Sequence, residues 1–593
     1  MKRKVVPERF VEITTIIVFA VCLLAVGFFH EPWFDEAQAW QIAKCASLKE
    51  ILFTIPHFEG HPPLWHLLLA IPAKAGISFE IGLKSIGFII SFISAFLIIF
   101  HSKFPRIVRL LLPFTYFFFY QYGIIVRPYG LMLMVFILIG MNLSERRIHP
   151  WRISLLLFAL CLTSAYGILF AGGLALCMTL EILQEKGIRN TIKEVLSDSR
   201  TTSLLSLLAG AALLIMEIRP SPIAYGVNIE GETPLIVRLL CGFFTFPVEC
   251  FLSTSSWFGI EQVSMKAMRI PLMNFLAFFV LGIILLFVLI CIASRRTLKY
   301  LFVPYVMYVF FAASVYSSTH HIGIVFILII CWLEFNFREG NCIEIGRYIR
   351  NKISQSEKDK KLIHLAAYIV CCACIAVPLY WNASACIHDI QQEYCFARET
   401  AKFIKEHELQ RLSILCQWTD SGSLSPQAEG HDDYINTYLI GTAVPINAYF
   451  ENNIAFNLNG GRDNEGYIHH RIVDYEESRK MIEEWREVGA PDVIIGRPNL
   501  KYIYDDITYD DYSLVFKDEA GLLWKTGVST GTTLVYIRND LIKKYQLTPL
   551  DDSLYRWLID GLQITEEMKK AVENGKTVEE VLDPYLDMMF GEN

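Results

Sequence analysis

Apolar and polar residues along this chain separate into whole segments. Up to residue 381, runs long enough to cross roughly 30 Å of hydrocarbon recur between short polar stretches. They predict membrane helices over 11–29, 81–101, 107–121, 129–144, 153–166, 168–184, 203–218, 272–294, 299–316, 321–338 and 362–381. Orientation follows from basic residues, because cytoplasmic loops keep Lys and Arg. Lys2, Arg3 and Lys4 take the inner side, as do Lys103, Arg106 and Arg109, then Arg146, Arg147 and Arg152, and later Arg347, Arg350, Lys358, Lys360 and Lys361. A full crossing by 235–252 would put Arg295, Arg296 and Lys299 outside, so that stretch is expected to be re-entrant or surface-lying. The first run is too long for a signal-peptide core and lacks a small-residue cleavage site, so it should be retained. The expected architecture is an α-helical, polytopic, multi-pass domain of the cell membrane over 1–381. It has about 11 transmembrane helices, the N-terminus inside and the C-terminus outside.

Beyond 381 the pattern becomes that of a water-soluble α/β domain over 382–593, expected on the extracytoplasmic side. Helices are predicted over 399–410 and 476–488, and strands over 412–418, 491–496 and 532–538. A hairpin is expected from strands 512–516 and 522–526 joined by 517–521. Gly460-Gly461 is a turn signal. Charge divides at the same place. Residues 382–593 carry 20 Lys and Arg against 37 Asp and Glu, a net of −17, while the first 381 carry 33 against 23, a net of +10. With 53% apolar and 19% charged residues and a mean hydropathy of +0.38, a soluble enzyme, a disordered chain and a disulfide miniprotein are excluded. No basic cluster accompanies a nucleic-acid-reading motif, so no nucleic-acid partner is expected. Of 15 cysteines most fall in the spans, no zinc spacing occurs, and Cys386 and Cys395 are either a bridge or two free thiols.

The candidate chemistry lies in the first outer loop, 30–80. His30-Glu31-Pro32-Trp33-Phe34-Asp35-Glu36 follows the first span directly. The plain reading is a solvated helix start with Asp35 as N-cap and Glu36 in the first turn. The functional reading uses Trp33, Phe34 and Trp40, interfacial aromatics that hold the acids against the bilayer. A carboxylate so desolvated gains proton affinity, which suits a general base for an alcohol. Glu59-Gly60-His61-Pro62-Pro63-Leu64 follows. There His61 either caps a helix over 62–75 or points, with that helix's N-terminus, toward a phosphate. Arg127-Pro128-Tyr129 opens a span; Arg127 either snorkels to headgroups or grips a phosphate. His320 and His321 begin another span, and adjacent positions face different ways on a helix, so one of them at most is expected to serve a site. All four elements fall at the outer face under a topology derived without them.

Those residues resemble the GT-C type of integral-membrane glycosyltransferase, in the branch related to bacterial protein mannosyltransferases and aminoarabinose transferases. The likeness covers about residues 8–340. It rests on the Asp35-Glu36 pair beyond the first span and the His61-Pro62-Pro63-Leu64 run, then on Arg127-Pro128-Tyr129 and His320-His321. The resemblance implies a polyprenyl-phosphate-linked sugar as donor and an inverting transfer to a hydroxyl of a protein, glycolipid or envelope polymer. Asp35 carries over as the catalytic base with Glu36 supporting it. His61, Arg127 and His321 become donor-phosphate ligands, and Glu59, Tyr129 and His320 line the pocket. Where aminoarabinose relatives have a Lys before the proline pair, this chain has His61, which is cationic only in part near neutral pH. Some members need a divalent metal and others do not. Asp35, Glu36 and His61 are ligand types for Mg or Mn, but no spacing compels one. The competing readings are a transporter or lipid flippase, and a non-catalytic receptor whose outer domain does the work. No internal repeat supports the former.

Overall fold

The structure, a computed structural model, describes residues 8–195, 197–221, 233–254, 272–317, 319–340, 343–353, 357–417, 435–436, 442–458, 466–469, 472–473, 475–553, 555, 570–571, 574, 576–577 and 581. The Gly460-Gly461 signal and Trp418 lie outside them. Among the described residues, six helices are long and apolar enough to cross a membrane: Arg9–Phe29, Phe79–His101, Pro128–Glu145, Ala165–Lys186, Ser199–Glu217 and Leu365–Gln391. Of the shorter apolar helices, Pro150–Cys161 and Lys299–Ser314 pack among them, and Leu276–Ile292 packs on Leu235–Phe251.

The expected helix over 107–121 is broken into three pieces. Arg106–Leu111 is α-helical, Leu112–Phe114 is a 3-10 turn, and Phe117–Ile124 is a π-helix. Pro113 cannot donate its backbone nitrogen to the preceding turn, and Thr115 is extended (φ −78°, ψ 153°). The stretch over 235–252 forms one helix, Leu235–Phe251. Arg238 near its start donates to the Ala313 carbonyl, and Cys250 near its end donates to the Ile322 carbonyl (3.3 Å). The helix therefore packs with its start at the end of Lys299–Ser314 and its end at the start of Gly323–Arg338.

At one end of the bundle, buried Arg146 ties several helices together. It is paired with Glu181 (2.9 Å) and Glu339 (3.1 Å) and lies over the Tyr300 and Phe335 rings. The opposite end carries the Phe34–Cys45 helix and the C-terminal sheet. The last bundle helix, Glu357–Gln391, runs unbroken past residue 381, so the change in composition marks no break in the chain's secondary structure.

The C-terminal part has strands β1 (Ile414–Cys416), β2 (Ile435–Asn436), β3 (Ile472–Val473), β4 (Val493–Ile495), β5 (Tyr512–Trp524) and β6 (Gly527–Arg538). The main sheet has the order β1-β4-β6-β5, with β1 and β4 parallel and the other neighbours antiparallel. Helices Ala397–Glu406 and Tyr475–Glu487 occupy the predicted places. The predicted hairpin is wrong. Residues 512–526 do not fold back at 517–521; Asp518, Glu519, Ala520 and Gly521 pair with Thr533, Thr532, Gly531 and Thr530 inside one long ladder. The turn is two residues, Lys525 and Thr526, and Lys525 takes a left-handed conformation (φ 57°). Turn-forming residue types lost here to cross-strand pairing. Cys386 and Cys395 are both free thiols.

This hairpin tip plugs into the helical bundle. Lys525 and Glu249 have fully buried side chains and form an ion pair of 2.7 Å. The Lys525 ammonium also donates to the Ser253 carbonyl (3.0 Å) and stands 4.5 Å from the centre of the buried Trp381 ring. The Lys525 backbone N–H donates to the Tyr116 hydroxyl (3.0 Å). A charge so placed is tolerable only because its partner is equally desolvated. Lys525→Met, which strands Glu249, should cost ~3–5 kcal/mol of stability, whereas Lys525→Met with Glu249→Leu should recover most of it. Thermal melting of the purified variants checks this; equal losses in both would show that the pair does not anchor the hairpin.

Candidate active site

The segment after the first helix is shaped by buried charge. Trp33 is the N-cap of Phe34–Cys45, not Asp35 as expected. Glu36, in the first turn, reaches back to accept the Trp33 N–H (3.2 Å) and forward to accept the Val126 N–H (2.6 Å). Its Oε2 also lies 3.3 Å from His30 Nε2, and His30 Nδ1 lies 2.9 Å from Asp389 at the end of the last bundle helix. All three side chains are fully buried. Burial opposes a charge on His30, but Asp389 and Glu36 outweigh it and hold the imidazole up at about 9. Glu36 is thus a staple between the helix start and the turn at 125–127 rather than an open carboxylate.

The remaining face of the Phe34–Cys45 helix is covered by the C-terminal part. Gln38 donates to Glu59 (3.0 Å) and to the Ile468 carbonyl (2.6 Å), and Lys44 donates to the Phe450 carbonyl (2.6 Å). Trp40 is buried over Gly82 rather than interfacial: a Cβ at that glycine would meet its ring at 2.3 Å. Arg398 fastens the junction through Glu80 (2.8 Å), Glu31 (3.2 Å) and the His30 carbonyl (2.8 Å). Burial pushes Glu31 up to about 7 in spite of Arg398.

The step of about 100° between adjacent helix positions places Asp35 on a different side from Glu36, and there it forms an ion pair with Arg127. The side chains of Asp35 and Arg127 are 18% and 13% exposed, so Arg127 does not snorkel and Asp35 is partly desolvated but paired with a cation. The Arg127 guanidinium lies over the rings of Trp33 (6.0 Å) and Tyr129 (5.7 Å). Buried Tyr129 is the hub of the rest. Its ring centre is 6.3 Å from His61, 6.3 Å from His320 and 5.6 Å from His321. His61 does not cap a helix, because Leu64–Lys74 starts after Pro63. Gly60, with φ 64°, ends the short helix Pro56–Glu59 and turns the chain so that His61 comes beside Tyr129. The two adjacent histidines were expected to diverge, yet both face Tyr129. They lie in a 3-10 turn, Thr319–His321, ahead of Gly323–Arg338, with rings 4.0 Å apart. His321 Nδ1 is 3.0 Å from the Tyr166 hydroxyl. Burial, reinforced by Arg127 and His61, pushes His320 well below the ordinary imidazole range, so it offers an N–H or a lone pair rather than a charge.

Asp35, His61, Arg127, Tyr129, His320 and His321 therefore form one cluster, drawn from four chain segments. Glu59 is held to Gln38, and Glu36 faces His30. Among the described residues, no three His, Cys, Asp or Glu side chains converge as a metal site. Asp35 pairs with Arg127 and Glu36 is spent on Val126, Trp33 and His30, so Asp35, Glu36 and His61 do not fit a shared cation. The cluster joins a carboxylate to a permanent cation and neutral ring donors, a set suited to a phosphate beside a proton acceptor. Sequence reasoning missed His30, Asp389, Arg398 and Lys525. His30 was visible only as the first polar residue after the first span, and Asp389 lies beyond 381, where the last span was expected to end. A comparison with protein families and with curated proteins gives no match for this chain.

His30 supplies a pH test. Its folded value, about 9, lies above an ordinary value of about 6.5, so its contribution is complete below that ordinary value and is lost as pH rises through 9. Stability should fall by on the order of 1 kcal/mol per pH unit across this window. Melting curves of His30→Gln should lack that slope; an unchanged slope would place the titration elsewhere.

Proposed function

We propose that this protein is an inverting glycosyltransferase that moves a sugar from a polyprenyl-phosphate donor to an acceptor hydroxyl at the outer face of the membrane. The observation that carries the reading is the meeting of Asp35 with Arg127, Tyr129, His61, His320 and His321. In this reading the bundle crosses the membrane about eleven times with the N-terminus inside, and the sheet-bearing C-terminal part is extracytoplasmic. The donor's polyprenyl chain lies between helices and its phosphate sits against Arg127, His61 and His321. Asp35 takes the acceptor's proton as the acceptor oxygen attacks the anomeric carbon from the side opposite the phosphate. Fixed donors hold the charge that develops on the departing phosphate, and that is where most of the barrier lowering arises. Glu36 acts as a positioning residue through its hold on Val126. The acceptor is a protein, a glycolipid or an envelope polymer.

The test is a transfer assay on purified protein in lipid, with radiolabelled polyprenyl-phosphate hexoses and crude envelope acceptors. Asp35→Asn should lower transfer by about 100-fold or more while still binding donor. Retention of most activity by that variant would remove Asp35 as the base. Neither binding nor transfer by either protein would point to a transporter or flippase, to be followed by flux measurements in vesicles.

A further inference from the structure

We propose that Arg127 is shared between Asp35 and the phosphate of the incoming donor, so that donor binding itself releases the carboxylate that serves as base. This rests on the transferase reading above and adds an order of events to it. Arg127 is the permanently charged group of the cluster, and its charge is engaged by Asp35. Its guanidinium carbon stands 6.0 Å from the centre of the Trp33 ring and 5.7 Å from that of Tyr129, so aromatic rings flank it. A planar fork held in this way can change partner by a small rotation and keep both ring contacts. The new partner is a phosphate, because phosphate accepts the same bidentate geometry as a carboxylate and brings comparable or greater charge. His61 and His321, with ring centres 6.3 Å and 5.6 Å from that of Tyr129, supply further donors.

The consequence is a base assembled only in the donor complex. Before donor binds, the Asp35 charge is held by Arg127 and an acceptor hydroxyl has no free carboxylate to deprotonate it. Once Arg127 turns to the phosphate, the acceptor O–H proton passes to Asp35. The acceptor oxygen bonds to the anomeric carbon. The electron pair of the breaking carbon–oxygen bond leaves with the polyprenyl phosphate, where Arg127 meets it. Asp35 then loses its proton to water.

The exchange predicts that removing the base tightens product binding. A sugar-free polyprenyl phosphate is titrated into the full chain in nanodiscs for wild type, Asp35→Asn, Arg127→Gln and the double variant. Polyprenol and inorganic phosphate run alongside to separate lipid-chain binding from phosphate binding. Asp35→Asn should bind polyprenyl phosphate about fivefold more tightly, the value of a partly exposed ion pair no longer broken. Arg127→Gln should bind about 10-fold or more weakly, and the double variant should match Arg127→Gln. That non-additivity is the signature of a shared arginine. If Asp35→Asn tightens binding equally in both backgrounds, Asp35 acts only as a nearby negative charge and the exchange is wrong although the transferase reading stands. If it weakens binding, the exchange is wrong as well. If none of the four binds polyprenyl phosphate better than polyprenol, both the exchange and the transferase reading fall. Melting curves verify folding, and Arg127→Met, which also removes the charge, replaces Arg127→Gln in the cycle should the latter not fold.

Discussion

A single imidazole between two carboxylates fixes the geometry on which the candidate site depends. His30, with Glu36 on one nitrogen and Asp389 on the other, joins the exit of the first helix, the start of Phe34–Cys45 and the end of the last bundle helix. None of the three side chains reaches solvent, so two carboxylates are kept in a dry place by one shared cation. Removing that cation would leave like charges facing each other without water to screen them. The other oxygen of Glu36 grips the Val126 N–H, and the next residue is Arg127. The ion pair of Asp35 and Arg127 is therefore set in place by a second pair of charges one helix position away.

The C-terminal part belongs to this construction. It covers the Phe34–Cys45 helix through Ile468 and Phe450 and clamps the first-helix exit through Arg398. It also sends Lys525 into the bundle to meet Glu249. A buried glutamate on an apolar helix would otherwise be costly to keep ionised. These contacts explain why the composition change near residue 381 is not a boundary in the folded chain: the same helix that leaves the apolar region delivers Asp389 to His30.

Much was legible in the sequence, and the failures share a cause. Long apolar runs became helices where nothing interrupted them, as in Phe79–His101 and Ala165–Lys186. The helix expected over 107–121 breaks at Pro113, whereas Pro304 and Pro378 lie inside helices that stay continuous. The turn expected at 517–521 failed because Asp518 to Gly521 found cross-strand partners, a long-range gain that outweighs local turn preference. The histidine pair was misplaced because a 3-10 turn replaced the α-helix assumed for it.

The sequence by itself determined which segments are apolar enough to form bundle helices, and which residue types stand ready at their ends. Both are local properties, because a helix satisfies its own backbone hydrogen bonds wherever it lies. It also presented Asp35 and Glu36 as an adjacent acidic pair. Only the tertiary structure decided that one carboxylate faces Arg127 and the other faces His30. Neighbouring helix positions point about 100° apart, and the partners that give each direction its meaning come from residues distant in the chain, brought close by packing.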